Sequence, residues 1–256
     1  MFFQFLVRNI KSRHRGSILG SLWLLANPLL MLGLYVFAFG VIFGGRFTDS
    51  PDESTLDYAV GVFLGLSVLG MISGIISSAP NIIVSQPNFV KKVVFPLEVL
   101  PAATAGALAY DFLIGFSLCI LGVIAFGSGI TGSFLYAAII ISPVFFMSFG
   151  LAWFLSALGV FIRDLGQLGS FLGLALLYAS GVFYSAEKVA MTAPTVWNFL
   201  KWNPLLQTID ALRKVVLWNM EPNWNYIGYS WIISIIILLS GAWVFHRLRP
   251  AFADVL

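Results

Sequence analysis

The chain contains one cysteine, Cys119, and two histidines among its 256 residues. A lone thiol excludes an internal disulfide framework and cannot hold a metal ion by itself. Charge is scarce too. Asp, Glu, Lys and Arg make up 10% of residues, against about a quarter in soluble domains. The sequence has no HExxH pair and no paired intramembrane carboxylates. It also lacks a GxxxxGK[ST] phosphate loop, so Walker-type ATP binding has no place on it. His14 and His246 both lie in basic clusters at the edges of apolar runs. Asp111 alone sits inside a long apolar run. An intramembrane carboxylate is a functional candidate by default, but no second acid or base accompanies it. Its expected role is therefore structural, as a hydrogen-bond acceptor.

What the chain does have is apolar length. Fifty-nine percent of residues are hydrophobic and 16% aromatic, with a mean hydropathy of +0.94. Spanning helices need about 20 mostly apolar residues, and several runs supply them. The expected fold is an all-α integral membrane protein, a single transmembrane domain over residues 1–256. Six spans are expected near 26–44, 59–79, 103–126, 134–161, 168–185 and 227–245. The third and fourth share one uncharged run from Phe112 to Ile162, and "GSGITGS" at 127–133 marks the turn between them. Pro143 falls inside the fourth, where a kink or the start of a broken segment is expected.

The first fifteen residues, "MFFQFLVRNIKSRHR", place apolar residues before basic ones, the reverse of a secretory signal. Phe3, Leu6, Val7 and Ile10 recur at helical spacing, with Gln4, Arg8, Lys11 and Arg15 on the opposite face. That pattern predicts an amphipathic helix lying in the membrane interface, with a frayed tail as the alternative.

Six spans put both termini on one side. If that side is cytoplasmic, nine of the fourteen Lys and Arg residues lie inside and five outside, as the positive-inside rule requires. The pI near 9.1 then reports orientation in a lipid membrane, and no nucleic-acid partner is expected. Two connections are too long for turns. The inner one, 79–103, holds Asn88–Pro96 between Pro87 and Pro96 and suits a short helix parallel to the membrane. The outer one, 186–226, is rich in Trp and Tyr and suits short re-entrant helices.

Four ordered stretches carry a resemblance. They are "RHRGSILGSLWLLANPLLMLGLYVFAFGVIF", "NFVKKVVFPLEVLP", "LGVFIRDLGQLGSFLGLALLYASGVFYS" and "KWNPLLQTIDALRKVVL". Together they resemble the permease subunits of type-2 ABC exporters, in the branch that exports O-antigens, capsular polysaccharides and teichoic acids. One departure is Gly181, which stands where that branch commonly has proline, before Val182-Phe183-Tyr184.

The resemblance implies a homodimer in the bacterial inner membrane, both termini cytoplasmic. Two copies of a separate ABC ATPase chain bind Mg-ATP; no cofactor is expected on this chain, and it is not itself an enzyme. It implies a coupling helix to the ATPase comprising Asn88, Phe89, Lys91, Lys92, Phe95, Pro96 and Glu98. A lipid-linked polysaccharide would meet Arg8, Lys11, Arg13 and Arg15 through its diphosphate. Tyr35, Phe37, Phe39, Tyr178 and Tyr184 would then line its path, aromatic faces packing on sugar C–H groups. Two alternatives stay open: a permease of the same fold for drugs or lipids, and a membrane-embedded transferase, which would need the intramembrane acid cluster or histidine that is missing.

Overall fold

The computed structural model describes residues 1–12, 20–42, 44–47, 54–91, 95–126 and 132–256. Helix α1, Phe2–Ser12, is followed by α2, Trp23–Tyr35, whose end widens into π-helical turns over Val36–Ile42. Helix α3, Thr55–Ile82, opens on a capping box. Ser54 Oγ accepts from the Asp57 amide, and the Asp57 carboxylate accepts from the Ser54 amide, both at 3.1 Å. A five-residue helix α4, Pro87–Lys91, precedes α5, Val99–Phe126, and α6, Tyr136–Phe161. Next come α7, Leu165–Ala179, then α8, Ala186–Thr192, α9, Pro194–Leu200, and α10, Pro204–Leu217. The chain closes with α11, Trp224–Leu248, and α12, Phe252–Val255.

Helix α3 is the axis of the molecule, packed by α5, α6 and α7, while α11 lies along α6. Two apolar clusters divide its length. One, at the α10 end, gathers Phe47, Tyr58, Val62, Ile209 and Leu212. The other, at the end carrying α1, α4 and α12, gathers Ile75, Ile83, Phe95, Phe245 and Phe252. Lipid offers no hydrophobic drive to press helices together, so close approach depends on small residues. At the α6–α11 crossing Gly150 faces the Ile237 carbonyl and Gly241 faces the Gly150 carbonyl; a Cβ on either would collide with backbone. Gly159 meets the Pro80 backbone in the same way. Of the GxxxG pairs within α3 and α7, Gly61/Gly65 and Gly169/Gly173 face neighbours at both positions, whereas in Gly70/Gly74 Gly74 meets Leu108 and Gly70 faces open space.

Several expectations need correction. By length and composition alone, five helices among the described residues are long and apolar enough to cross a membrane. The expected fifth span at 168–185 is the shorter apolar α7 of 15 residues, which rises about 22 Å alongside α3, from Gly166 beside Asn81 to the turn where Val182 meets Gly65. It stops because Gly181 turns to φ +66°, a conformation open to glycine and strained for other residues. Pro143 does not interrupt α6, which runs unbroken through it. Between α3 and α5 the helix among the described residues is Pro87–Lys91; Phe95 and Pro96 lie outside any helix. The connection 186–226 forms three helices, α8, α9 and α10, and eleven of the fourteen residues of α10 are buried. In α1 the face turned to the protein is Phe2, Phe5, Leu6 and Asn9, while Phe3 and Val7 point away from it. The α1 residues Leu6 and Phe2 lie over Gly106 of α5.

Candidate functional site

Two regions at opposite ends of α3 bring polar and aromatic groups together. At the α1 end, Arg8 Nη2 donates to Gln86 Oε1 at 3.4 Å while its guanidinium lies 4.3 Å from the Phe5 ring centre. Asn9 Nδ2 donates to Thr104 Oγ1 at 3.3 Å. These side chains, with Asn81 and Ser85, line an open pocket of about 290 Å³. Of the four basic residues expected to meet phosphate, Arg8 is in this pocket and Lys11 is exposed on the same helix. Arg13 and Arg15 lie outside the described residues. Asn81, Ser85 and Gln86 were not singled out in the sequence, because lone amides and hydroxyls in a connection carry no spacing signal.

Beside this pocket, α4 presents Asn88 and Lys91 to the exterior. Phe89 turns inward against Phe5 and Phe95, with ring centres 5.7 and 4.9 Å away. Phe95 is itself buried and packs on Phe5 at 5.2 Å. Glu98 is occupied within the protein: its Oε2 accepts from Arg249 Nη1 at 3.1 Å, and its carbonyl accepts from Trp153 Nε1. Arg249 also donates to the Phe95 carbonyl at 3.4 Å. The expected coupling residues therefore divide into an exposed pair, Asn88 and Lys91, and a supporting set, Phe89, Phe95 and Glu98. Pro96 is half-buried beside them, and Lys92 lies outside the described residues.

At the α10 end, Tyr35 and Phe39 converge on Phe183. Phe39 stacks on it at 4.3 Å and Tyr35 approaches at 5.2 Å. Tyr184 donates its hydroxyl to the Tyr178 carbonyl, closing the turn after α7. Burial pushes the Tyr184 phenol above its ordinary value, partly opposed by a backbone hydrogen bond at Gly181 and by the nearby Arg213 charge. Phe37 and Tyr178 are exposed on the outer surfaces of α2 and α7. The five expected path residues thus fall on two adjoining elements, but three gather around Phe183 and Tyr184 while Phe37 and Tyr178 face outward.

Arg213 organises this end. It is 1% exposed and donates Nε to Gly61, Nη1 to Gly181 and Tyr184, and Nη2 to Val182, all backbone carbonyls at 2.5–3.2 Å. The Phe47 ring lies 3.9 Å from its guanidinium carbon. A buried charge is tolerated only when its donors are satisfied, and carbonyls freed at a helix C-terminus supply that. Asn203 strengthens the same junction by donating to the Ala179 carbonyl at 2.9 Å. On α10, Lys214 bridges Asp210 at 3.2 Å and Glu187 at 2.9 Å. Burial alone would lower the Lys214 ammonium, but the two carboxylates outweigh it and hold its pKa above the usual value.

Asp111 lines an apolar cavity of about 280 Å³ between α2, α3 and α5, beside Pro28, Ser67 and Gly115.

Residues 1–217 match the ABC-2 type transporter family. The chain belongs to that family. This permease is also similar over nearly its whole length to proteins named O-antigen export system permease protein RfbA. Two from Klebsiella pneumoniae are each 25% identical over 252 residues, covering 97% of this chain and 92% of the relative. One from Myxococcus xanthus is 23% identical over 247 residues, covering 96% and 92%. Family membership places the chain among transporter permeases, not enzymes, and agrees with its apolar spanning helices.

Proposed function

We propose that this permease is the membrane half of an ATP-driven exporter that carries a lipid-linked polysaccharide from the cytoplasmic to the outer face of the bacterial inner membrane. The observation that carries this reading is end-to-end similarity to permeases named for O-antigen export. It favours a glycan over the drugs or lipids that the fold alone would allow.

The chain works as a homodimer with two copies of a separate ATPase, which binds and splits Mg-ATP. Both termini are cytoplasmic. The α4 surface at Asn88 and Lys91 receives the ATPase, and the packing of Phe89 against Phe95 and Phe5 carries its closure to α1. A lipid diphosphate meets Arg8 and Lys11, with Arg13 and Arg15 following in the sequence. Arginine forks match phosphate oxygens, and the neighbouring amides supply further donors. The glycan then passes along α2 and α7. Over Leu25–Ile42 no residue of the span that α2 begins is fully buried in its own chain, as suits a helix that partners a second copy across the path.

The test is to deplete the chain in cells, isolate lipid-linked glycans and determine which face of the membrane holds them. Glycan stranded on the inner face is the expected result. Normal surface glycan without accumulation would overturn the proposal.

A further inference from the structure

A third cavity lies at the α10 end. It measures about 220 Å³ and is walled by α8, α9, α10 and the start of α11. This is smaller than the roughly 300–1,000 Å³ of drug-sized sites and suits one ring-sized ligand. Its apolar faces come from Trp197 and Tyr226 on two separate helices, both half-buried. Polar groups complete the wall, and each is held from behind. Lys214 is fixed between Glu187 and Asp210, and Asp210 also accepts from the Ala186 amide at 3.3 Å. Gln207 donates its Nε2 to the Lys201 carbonyl at 2.9 Å. Asn223 caps α11 by accepting from the Asn225 amide at 3.1 Å, which leaves its NH₂ end as a donor.

The ligand chemistry follows from this lining. Paired aromatic faces with preset donors and acceptors suit a pyranose, whose C–H faces stack on rings while its hydroxyls both donate and accept. A purely apolar ligand would strand the carboxylates and amides. An anion is disfavoured as well, because two carboxylates outweigh one ammonium. We propose that this cavity is a sugar subsite, holding one neutral pyranose of the glycan as it leaves the membrane. The proposal rests on the export reading above and adds a place where the outgoing chain is gripped. Its position, at the end of α3 opposite Arg8 and α4, is the exit side of that reading.

The test uses the purified full-length chain in lipid nanodiscs. The probes are the methyl glycosides of glucose, galactose, mannose and N-acetylglucosamine, with glycerol as the polyol control and glucuronate as the acidic one. Binding is read by saturation-transfer NMR and tryptophan fluorescence. At least one neutral glycoside should bind in the millimolar range, more tightly than glucuronate. Trp197→Ala should weaken it at least about tenfold, and Trp197→Phe should retain it. Glu187→Gln, at an exposed carboxylate, should weaken binding without changing the circular dichroism. If no glycoside exceeds glycerol, or if Trp197→Ala binds as well as wild type, the subsite is overturned. The depletion experiment reads independently. Glycan stranded inside, with no glycoside bound, leaves export standing and removes the subsite; glycoside binding with normal surface glycan on depletion removes export instead.

Discussion

Arg213 Nη1 donates to the Gly181 carbonyl across 2.6 Å, joining a helix of the outer connection to the turn that ends α7. Gly65 makes room for it: a Cβ there would stand 3.0 Å from Arg213 Nη2. Gly181 provides the positive φ that turns its own carbonyl and those of Val182 and Tyr184 toward the guanidinium. One side chain thus replaces the hydrogen bonds that α7 would have made by continuing.

Removing that side chain should be costly. Arg213→Met leaves several buried carbonyls without donors, each worth about 1–3 kcal/mol. We expect a loss of roughly 3 kcal/mol or more, since four carbonyls lose the donor they share. Arg213→Lys keeps the charge but not the fork and should fall between. Unfolding of the purified variants in mixed micelles measures this; a Met variant as stable as wild type would refute the arrangement.

The α6–α11 crossing gives a second prediction. Gly241→Ala puts a methyl group against the Gly150 carbonyl, with no flexible side chain to yield. Overpacking of this kind costs about 1–3 kcal/mol. Gly70→Ala, which meets nothing within 4 Å, should be neutral or gain up to about 1 kcal/mol from helix propensity. The contrast between the two, measured side by side, isolates the crossing from any general effect of adding a methyl group.

The five long spans were legible because a membrane helix needs only apolar length, and that is visible in the run from Phe112 to Ile162. Which face packs on protein was not legible, because lipid and protein interior accept the same residues; hence the outward-facing Phe3 and Val7 of α1 could not be told from Phe2 and Phe5, which face the protein. The fifth span was overextended for a related reason. Val182 and Phe183 read as continuing apolar residues, and what ends the helix is the positive φ of Gly181, whose carbonyl is held by Arg213, 32 residues away. Arg213 itself looked like an ordinary charge of an outer loop. Charge counting cannot detect that its partners are backbone carbonyls. On the Arg8 side, the basic residues were visible but the amides of Asn81 and Gln86 were not.

Alkaline stability offers a third check. Lys214 has its pKa raised above 10.5, so its contribution is fully present below that value and fades as pH rises through the folded pKa. Tyr184, raised above 10.0 by burial, loses its contribution in the same direction. Neither group should make stability vary between pH 6 and 9. Above about pH 10 wild type should lose stability more steeply than a Lys214→Met, Tyr184→Phe double variant. Equal slopes in denaturation series over that range would show that these groups do not control it.

The residues around α4 should fail in two distinguishable ways. Asn88 and Lys91 are exposed and carry nothing of the fold, so Asn88→Ala with Lys91→Glu should leave expression and thermal stability unchanged. If this surface receives the ATPase, that variant should lose co-purification of Mg-dependent ATP hydrolysis and, with it, export. Phe95→Ala removes a buried ring packed on Phe5 and Phe89, which typically costs about 3–5 kcal/mol. It should lower the amount of folded protein first and ATPase recovery only in proportion. Glu98→Gln should fall between the two classes and nearer in stability to the Asn88 and Lys91 variant, because its pair with Arg249 at 3.1 Å is partly exposed and its loss should cost under about 1 kcal/mol. Normalising recovered ATPase to folded permease separates the two classes. If the Asn88 and Lys91 variant still recovers a full complement of ATPase, the motor docks elsewhere, and the α4 platform serves only to brace α1 against the end of α5.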